Sequence, residues 1–123
     1  MALKKAKYHA AASILSNQVI AVLDMGYSLL EDCGFTRAEA VRATGQLVMR
    51  NIENVLEAGC DGALTGPIER NDIETVKKHI ACMQNDDSDD VRLYKMLGTK
   101  LVNIAEKKNP DKDYTQMMEL LRG

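Results

Sequence analysis

The chain has 123 residues, of which 46% are hydrophobic and 28% are charged. This composition is typical of a globular protein and excludes a disordered one, and the length predicts a single domain over residues 1–123. The formal net charge of −2 gives no electrostatic reason to expect nucleic acid or an anionic membrane as a partner.

The first predicted helix runs from Lys5 to Asp32 and ends at Cys33-Gly34, since glycine is a common helix stop. Its apolar residues cover more than one face, so we expect other helices to surround it. Lysines followed by small apolar residues near its start resemble a signal peptide, but polar residues 16–18 interrupt the apolar run. We therefore expect neither a cleaved signal nor a membrane span.

A polar stripe interrupts this apolar helix within the sequence YHAAASILSN, residues 8–17. At about 100° per residue the stripe covers roughly 100° of the helix surface and comprises His9, Ser13, Ser16 and Asn17. A histidine can give or take a proton near neutral pH, and Ser13 and Asn17 can hold a polar ligand beside it. The alternative is that His9 lies at a frayed helix start and that the other polar side chains pack against another helix or water.

The second predicted helix opens with a capping box, in which Thr36 is the N-cap and Glu39 follows three residues later. It ends at residues 58–59, an Ala-Gly pair. Asn51 and Asn54 are polar residues on a helix that otherwise has a mostly buried pattern. Of these, Asn54 is a candidate to line the same cavity as the polar stripe.

The loop between the second and third predicted helices, CDGALTGPIERND, carries a second candidate site. Thr65 offers a hydroxyl, Gly66 lets the backbone approach a ligand closely, and Arg70 supplies a positive charge. Because these residues stand next to a helix N-terminus, their combination favours an anion. The alternative is a plain connection between helices in which Arg70 is solvated.

The third predicted helix opens with Asn71 and Glu74 as a cap-like pair and runs to Met83. We interpret His79 on this helix as a surface residue. An acidic turn, QNDDSDD, follows, and its carboxylates suit the N-terminus of the next helix. A calcium loop is disfavoured there, because the spacing lacks the required glycine and the terminal Glu.

The fourth predicted helix runs from Val91 to Lys108, and a short fifth helix follows Pro110. We expect Met117 and Met118 of the fifth helix to remain exposed within one chain. Together with the broadly apolar first helix, this predicts a homodimer. The β-branched alternation of strands is absent, so the sequence predicts an all-α helical bundle around a long N-terminal helix.

Cysteine usage and phosphate-binding motifs limit the chemistry of this chain. Cys33, Cys60 and Cys82 are odd in number and far apart and form no CxxC pair, which predicts neither a disulfide framework nor a metal site. A reducing, cytoplasmic location fits them best. The sequence contains neither GxGxxG nor a P-loop, so we expect no nucleotide cofactor to be held by this chain itself.

Three motifs, YHAAASILSN, NIENVLEAG and ALTGPIERNDIETVKKHI, together resemble a known family. Over residues 7–121 the chain is similar to the C-terminal helical domain of the domain-of-unknown-function family 2520. The resemblance implies a fold like the C-terminal domain of 6-phosphogluconate dehydrogenase, and a relationship with ketopantoate reductase and pyrroline-5-carboxylate reductase. In that family an N-terminal Rossmann domain, absent from this chain, precedes the helical domain. We expect the substrate-side and dimerisation half of an NADP- or NAD-dependent oxidoreductase, either excised or part of a split enzyme.

The resemblance also implies roles for the candidate residues. In the hydroxyacid and ketopantoate enzymes the long helix carries a lysine, with an asparagine four residues on, facing the substrate carbonyl. Here His9 stands at that place, followed by Ser13 and Asn17, which departs from the pattern. His9 would donate a proton, Ser13 and Asn17 would orient the substrate, and Thr65 with Arg70 would hold the carboxylate of a small anionic substrate. A non-catalytic helical assembly module is the alternative.

Overall fold

A computed structural model describes residues 2–84 and 89–123. All regular secondary structure in these residues is helical, which confirms the predicted all-α helical bundle. The chain divides into two compact units, residues 1–48 and 49–123. The described residues form the helices α1 (Ala2–Asp32), α2 (Arg37–Ala63), α3 (Ile73–Met83), α4 (Asp90–Lys108) and α5 (Thr115–Arg122).

The long helix α1 changes its winding once along its length. Ala2–Ser13 and Val19–Asp32 are α-helical, and Ile14–Gln18 between them form a π turn, in which backbone hydrogen bonds join residues five apart. Within this turn the Ser16 hydroxyl donates to Ala12 O at 2.6 Å. A serine bonded to the carbonyl four residues back disturbs the regular helix ladder, which fits the wider winding here.

The C-terminus of α1 forms the glycine stop that the sequence predicted. Gly34 has φ = 104°, a conformation that glycine adopts without a side-chain clash. Its N–H donates to Glu31 O at 3.0 Å, and the Phe35 N–H donates to Leu30 O at 3.2 Å. These two bonds satisfy the last carbonyls of the helix in a Schellman motif.

The start of α2 is held by its capping box and by an arginine. The Thr36 N–H donates to Glu39 Oε1 at 2.9 Å, and the Glu39 N–H donates to Thr36 Oγ1 at 3.1 Å, which confirms the predicted box. Arg37 donates to Asp24 Oδ1 at 2.9 Å and to Glu31 Oε1 at 2.7 Å. Since both acids lie on α1, Arg37 joins the end of α1 to the start of α2.

The regular winding of α2 ends at the predicted Ala-Gly pair, residues 58–59. Gly59 leaves the helical conformation with φ = 77° and ψ = 173°, and one separate turn beyond it leads to Ala63. The glycine stop predicted from the sequence is therefore confirmed, with a short helical turn following it.

The hydrophobic core lies in the second unit, where α3, α4 and α5 pack on one another. The closest approach is at Gly98 on α4, where a Cβ would lie only 2.8 Å from Leu121 Cδ2 on α5. A larger residue at this position would therefore force the Leu121 side chain to shift. The buried core comprises Ile68, Val76, Ile80, Val102, Ala105, Tyr114, Met117 and Leu121.

Two sequence-based expectations about burial are wrong. No described residue of α1 is buried, contrary to the burial expected for this apolar helix. Met117 was expected to be exposed, but it has 0% exposure, and Met118 packs partly buried against the core. The short helix α5 is thus part of the core, and its methionines give no argument for a homodimer.

The N-terminus of α3 uses a different cap from the predicted Asn71 pair. Asp72 is the N-cap, because its carboxylate accepts from the Thr75 N–H at 3.1 Å and from the Thr75 hydroxyl at 2.7 Å. Asn71 instead adopts φ = 59°, and its Nδ2 donates to Asp113 O at 3.1 Å. Residues 85–88 of the predicted acidic turn lie outside the described residues.

Candidate functional site

His9 lies about two turns inside α1 and is exposed to solvent. The helical segment Ala2–Ser13 includes His9, seven positions after its first residue. Its nearest ring is that of Tyr8, at a centroid distance of 6.3 Å and a tilt of 60°. No side chain in the described part of the chain hydrogen-bonds to His9, so both of its ring nitrogens are open to a ligand.

The π turn changes the geometry of the predicted polar stripe. His9 and Ser13 are four residues apart in regular α-helix and share one face. Asn17 lies inside the π turn, so the projection at 100° per residue does not hold for it. Ser16 uses its hydroxyl on its own helix backbone. The stripe therefore consists of His9 and Ser13 on one face of the helix, and Asn17 is exposed within the π turn. Such π turns inside α-helices are frequent at functional sites.

The loop that carries Thr65, Gly66 and Arg70 is built from tight turns. The Arg70 N–H donates to Gly66 O at 3.1 Å, and the Asp72 N–H donates to Pro67 O at 2.8 Å. Gly66 has φ = 101°, where any side chain would be strained. The Thr65 and Arg70 side chains are exposed, so both can reach a ligand.

Three side chains at the end of α4 and just after it hold this loop, two of them by its backbone. Lys108 Nζ donates to Leu64 O at 2.6 Å and lies 3.6 Å from the Glu69 carboxylate. Tyr114 Oη donates to Glu69 O at 2.6 Å and accepts from Asn109 Nδ2 at 3.0 Å. The sequence does not indicate Lys108 and Tyr114 as anchors, because each stands more than 40 positions from the carbonyl it binds and forms no local motif with it.

A cleft of about 200 Å³ lies in the second unit beside Thr65. Its lining is mostly apolar, and the polar side chains in it are Thr65, Cys60 and Asn51. The α2 asparagine that shares this cleft with Thr65 is thus Asn51, whereas Asn54 is exposed and does not line it. The lining comprises Asn51, Val55, Cys60, Ala63, Leu64, Thr65, Leu101 and Ile104.

The predicted site residues form two groups, one in each unit. In the first unit, residues 1–48, helix α1 carries His9, Ser13 and Asn17. In the second unit one loop brings together the remaining candidates except Asn54, which stands alone on α2. The candidates of the second unit are Asn54, Thr65, Gly66 and Arg70.

The sequence of this chain matches a known protein family. The family described as Domain of unknown function (DUF2520) matches residues 2–101, more than three quarters of the chain. The chain belongs to the DUF2520 family. This confirms the resemblance found in the sequence. No curated protein and no solved structure matches the chain.

The DUF2520 match ends inside α4, at residue 101. It includes both groups of candidate site residues. It does not include the loop anchors Lys108, Asn109 and Tyr114, or any part of α5. The segment that fixes the loop therefore lies beyond the part of the chain that the family match covers.

His79 of this DUF2520 domain is not the plain surface residue that the sequence predicted. Its Nδ1 lies 2.9 Å from Tyr94 Oη, within hydrogen-bonding distance. The two rings meet edge to face, with centroids 5.9 Å apart. Burial at this contact between α3 and α4 raises the pKa of the Tyr94 phenol. His79 is therefore a packing residue.

By length and composition alone, α1 is able to cross a membrane. The expectation that residues 16–18 exclude a span is wrong by this criterion. A single helix of this kind is weak evidence for a membrane protein, because core helices of soluble proteins and N-terminal signal sequences meet the same criterion.

A groove of about 720 Å³ beside α5 is larger than the cleft at Thr65 but contains none of the predicted site residues. Its lining includes the cations Lys112 and Arg122 together with the carboxylates of Glu106, Asp113 and Glu119, so it does not favour one sign of ligand charge. Among the described residues there is also no group of three or more His, Cys, Asp or Glu that could hold a metal ion.

Proposed function

We propose that this domain is the substrate-side and dimerisation half of an NAD(P)-dependent oxidoreductase that reduces a small carbonyl or imine acid. The observation that carries the proposal is the placement of His9 and Ser13, which share a regular helix face and are not covered by the chain. No side chain among the described residues hydrogen-bonds to His9, so its ring nitrogens are free to act on a ligand. The resemblance of the long helix to that of the hydroxyacid and ketopantoate enzymes, in which His9 stands at the place of their lysine, supports this interpretation.

The α1 residues act on the reacting group in this proposal. Reduction of a carbonyl places negative charge on its oxygen, and His9 donates the proton or polarises that oxygen. Ser13 and Asn17 orient the substrate through their hydroxyl and amide groups. Each of the three side chains is at least partly accessible, as this role requires.

The loop residues bind a carboxylate in this proposal. The Arg70 guanidinium matches the geometry of a carboxylate, and the Thr65 hydroxyl donates beside it. Gly66 keeps the backbone free of a side chain at the same turn. Asn54, exposed on α2, precedes the loop in the chain and offers its amide group to the substrate.

The described residues do not themselves fit a dinucleotide. They contain no strand leading into a glycine loop at a helix N-terminus, which is how Rossmann domains hold the pyrophosphate. In the proposal NAD or NADP, which supplies the hydride, binds to the N-terminal Rossmann domain of the family. The residues of this chain act on the substrate alone.

Two measurements test the proposal. Calorimetric titration of this chain with NADPH is expected to show no micromolar binding. The same chain joined to its N-terminal Rossmann domain is expected to bind NADPH and to oxidise it when keto or imino acids are added. The loss of NADPH absorbance measures this oxidation. Micromolar binding by the chain alone, or no turnover of any acid in a broad panel, would contradict the proposal.

A helical assembly module without catalysis is the second candidate, and the exposed apolar surface favours it. Among the residues that the structure describes, thirteen of the fifteen exposed large hydrophobic side chains lie between Leu3 and Leu56. Such a surface requires a partner, which in both candidates is a second copy of the chain. The candidates differ at His9, because substitution there changes turnover only if the domain is catalytic.

We also propose a cytoplasmic location. Cys33, Cys60 and Cys82 are free and exposed, and exposed thiols persist in reducing compartments. Cell fractionation is expected to recover the protein in the soluble fraction. Recovery with membranes after a high-salt wash would contradict this location and would favour α1 as a membrane span.

A further inference from the structure

Two side chains hold the backbone of the candidate loop on either side of its turn. Lys108 Nζ donates to Leu64 O at 2.6 Å, and Tyr114 Oη donates to Glu69 O at 2.6 Å. Leu64 and Glu69 directly precede the two loop residues proposed to bind the substrate carboxylate. Between these points the Ile68 side chain is buried in the core. The turn is thus fixed at both ends and in the middle.

The surroundings of both anchors strengthen their bonds. Tyr114 is 3% exposed, and its oxygen also accepts from Asn109 Nδ2, so it belongs to a buried network. The Lys108 and Glu69 side chains are 28% and 14% exposed and form an ion pair at 3.6 Å. A charged donor bound to a carbonyl in such a place makes a stronger bond than a neutral one.

We propose that Lys108 and Tyr114 are positioning residues that hold Thr65 and Arg70 ready for the substrate carboxylate. This inference rests on the proposed function, in which these two loop residues bind that group. A loop ordered before binding loses less conformational entropy when the ligand arrives, so its affinity is higher. Neither anchor touches the ligand, because each acts through a backbone carbonyl of the loop.

Conservative variants of the anchors test this inference in the chain itself. Tyr114→Phe removes the hydroxyl and keeps the buried ring, and Lys108→Met removes the charge and keeps most of the aliphatic stem. Amide hydrogen exchange at residues 65–71 is expected to become about 2- to 10-fold faster, as for the loss of one hydrogen bond. The amide of Val102 in the core should keep its wild-type rate. Lys108→Arg, which can still donate, should restore the loop.

A matched control and two contrary outcomes complete the exchange experiment. Tyr8→Phe removes an exposed hydroxyl far from the loop in sequence and should leave exchange at residues 65–71 unchanged. Unchanged loop exchange in Tyr114→Phe would overturn the inference. Equal acceleration of the loop and of the α4 core amides would also overturn it, because that result shows a purely structural role.

A kinetic experiment separates this inference from the proposed function. In the chain joined to its Rossmann domain, Tyr114→Phe is expected to raise KM for the acid by about 2- to 10-fold while kcat changes less, since the anchor acts on binding. Equal KM in variant and wild type would overturn the positioning role. A wild-type protein that turns over no acid would overturn the proposed function, and the exchange result would then decide whether the anchors hold the loop.

Discussion

The two units of the chain differ in how much of their apolar surface they bury. In the second unit Val76, Val102 and Met117 are almost completely buried. In the first unit Ala40 is the buried residue among those described, while side chains such as Leu15 are largely exposed. Apolar burial is the main favourable term in folding. Burial within the unit therefore stabilises the second unit but contributes little to the stability of the first.

This contrast shows that an apolar helix is not always a core helix of its own chain. α1 is long and apolar and contributes no buried residue, whereas α5 has only eight residues and contributes Met117 and Leu121 to the core. Within the first unit α1 therefore leaves its apolar surface exposed. In the proposed function a second copy and the Rossmann domain cover that surface.

The largest expected effect concerns His9 in the exposed unit. In the protein joined to its Rossmann domain, His9→Ala is expected to lower kcat by about 10²- to 10⁴-fold, because a positioned proton donor is lost. The helix should remain folded, since His9 makes no buried contact. Steady-state kinetics measure the loss, and circular dichroism of the variant checks the helix.

The control for His9 must leave packing unchanged. Lys7→Ala is suitable, because Lys7 is exposed and lies about 200° around the helix from His9. His79→Ala is unsuitable, because it breaks the contact with Tyr94. Wild-type turnover in His9→Ala, or unfolding of α1, would show that the polar stripe is structural.

The next largest effect is expected in the core of the second unit. Met117→Ala removes a fully buried side chain and should lower the free energy of unfolding by about 2–5 kcal/mol. Met96→Ala is the matched control, because Met96 is 67% exposed and its truncation should change stability by about 0.5 kcal/mol or less. Denaturant unfolding measures both. Equal losses in the two variants would contradict the burial described for this unit.

A smaller effect is expected when charge is added to the exposed apolar face. A permanent homodimer buries more than about 2,000 Å² in total, and a carboxylate inside such an interface is costly. Leu15→Glu is therefore expected to weaken self-association by about tenfold or more, measured by sedimentation. Lys100→Glu, at an exposed position of α4, is the control and should leave self-association unchanged. A well-folded wild-type monomer at micromolar concentration would contradict the homodimer.

Local features of the fold could be predicted from the sequence. The capping box at Thr36 and the glycine stop at Gly34 each depend on bonds between residues no more than five apart, so their residue types indicate them directly. Thr65, Gly66 and Arg70 come together because they are neighbours in one loop. The π turn at Ile14–Gln18 is also local, but a single serine is too common a signal to predict it.

Long-range features could not be predicted in the same way. Tyr114 and Glu69 are 45 positions apart, and His79 and Tyr94 are 15 positions apart, so their contacts depend on how α3, α4 and α5 pack. The burial of Met117 has the same origin. No periodicity within one helix indicates which of its apolar faces another helix of the same chain will cover.

The smallest expected effect compares two helix starts, one in each unit. The backbone N–H and then the hydroxyl of Thr36 lower the pKa of Glu39 from its ordinary value of 4.5. The hydroxyl and then the N–H of Thr75 lower the pKa of Asp72 from its ordinary value of 3.8. Because both pKa values are lower in the folded chain, each carboxylate stabilises the fold fully above its ordinary pKa. Each loses that contribution as the pH falls through the lowered value.

Glu39→Gln and Asp72→Asn replace each carboxylate with a neutral acceptor and should flatten the acid side of the stability curve. Thermal unfolding between about pH 5 and pH 2 measures this, and a wild-type curve that stays level over that range would contradict the prediction. If both variants flatten the curve, the two units unfold together despite their different burial. If only Asp72→Asn does so, the start of α2 adds nothing to the measured transition. The first unit then unfolds separately, as expected for a unit whose apolar surface requires a partner.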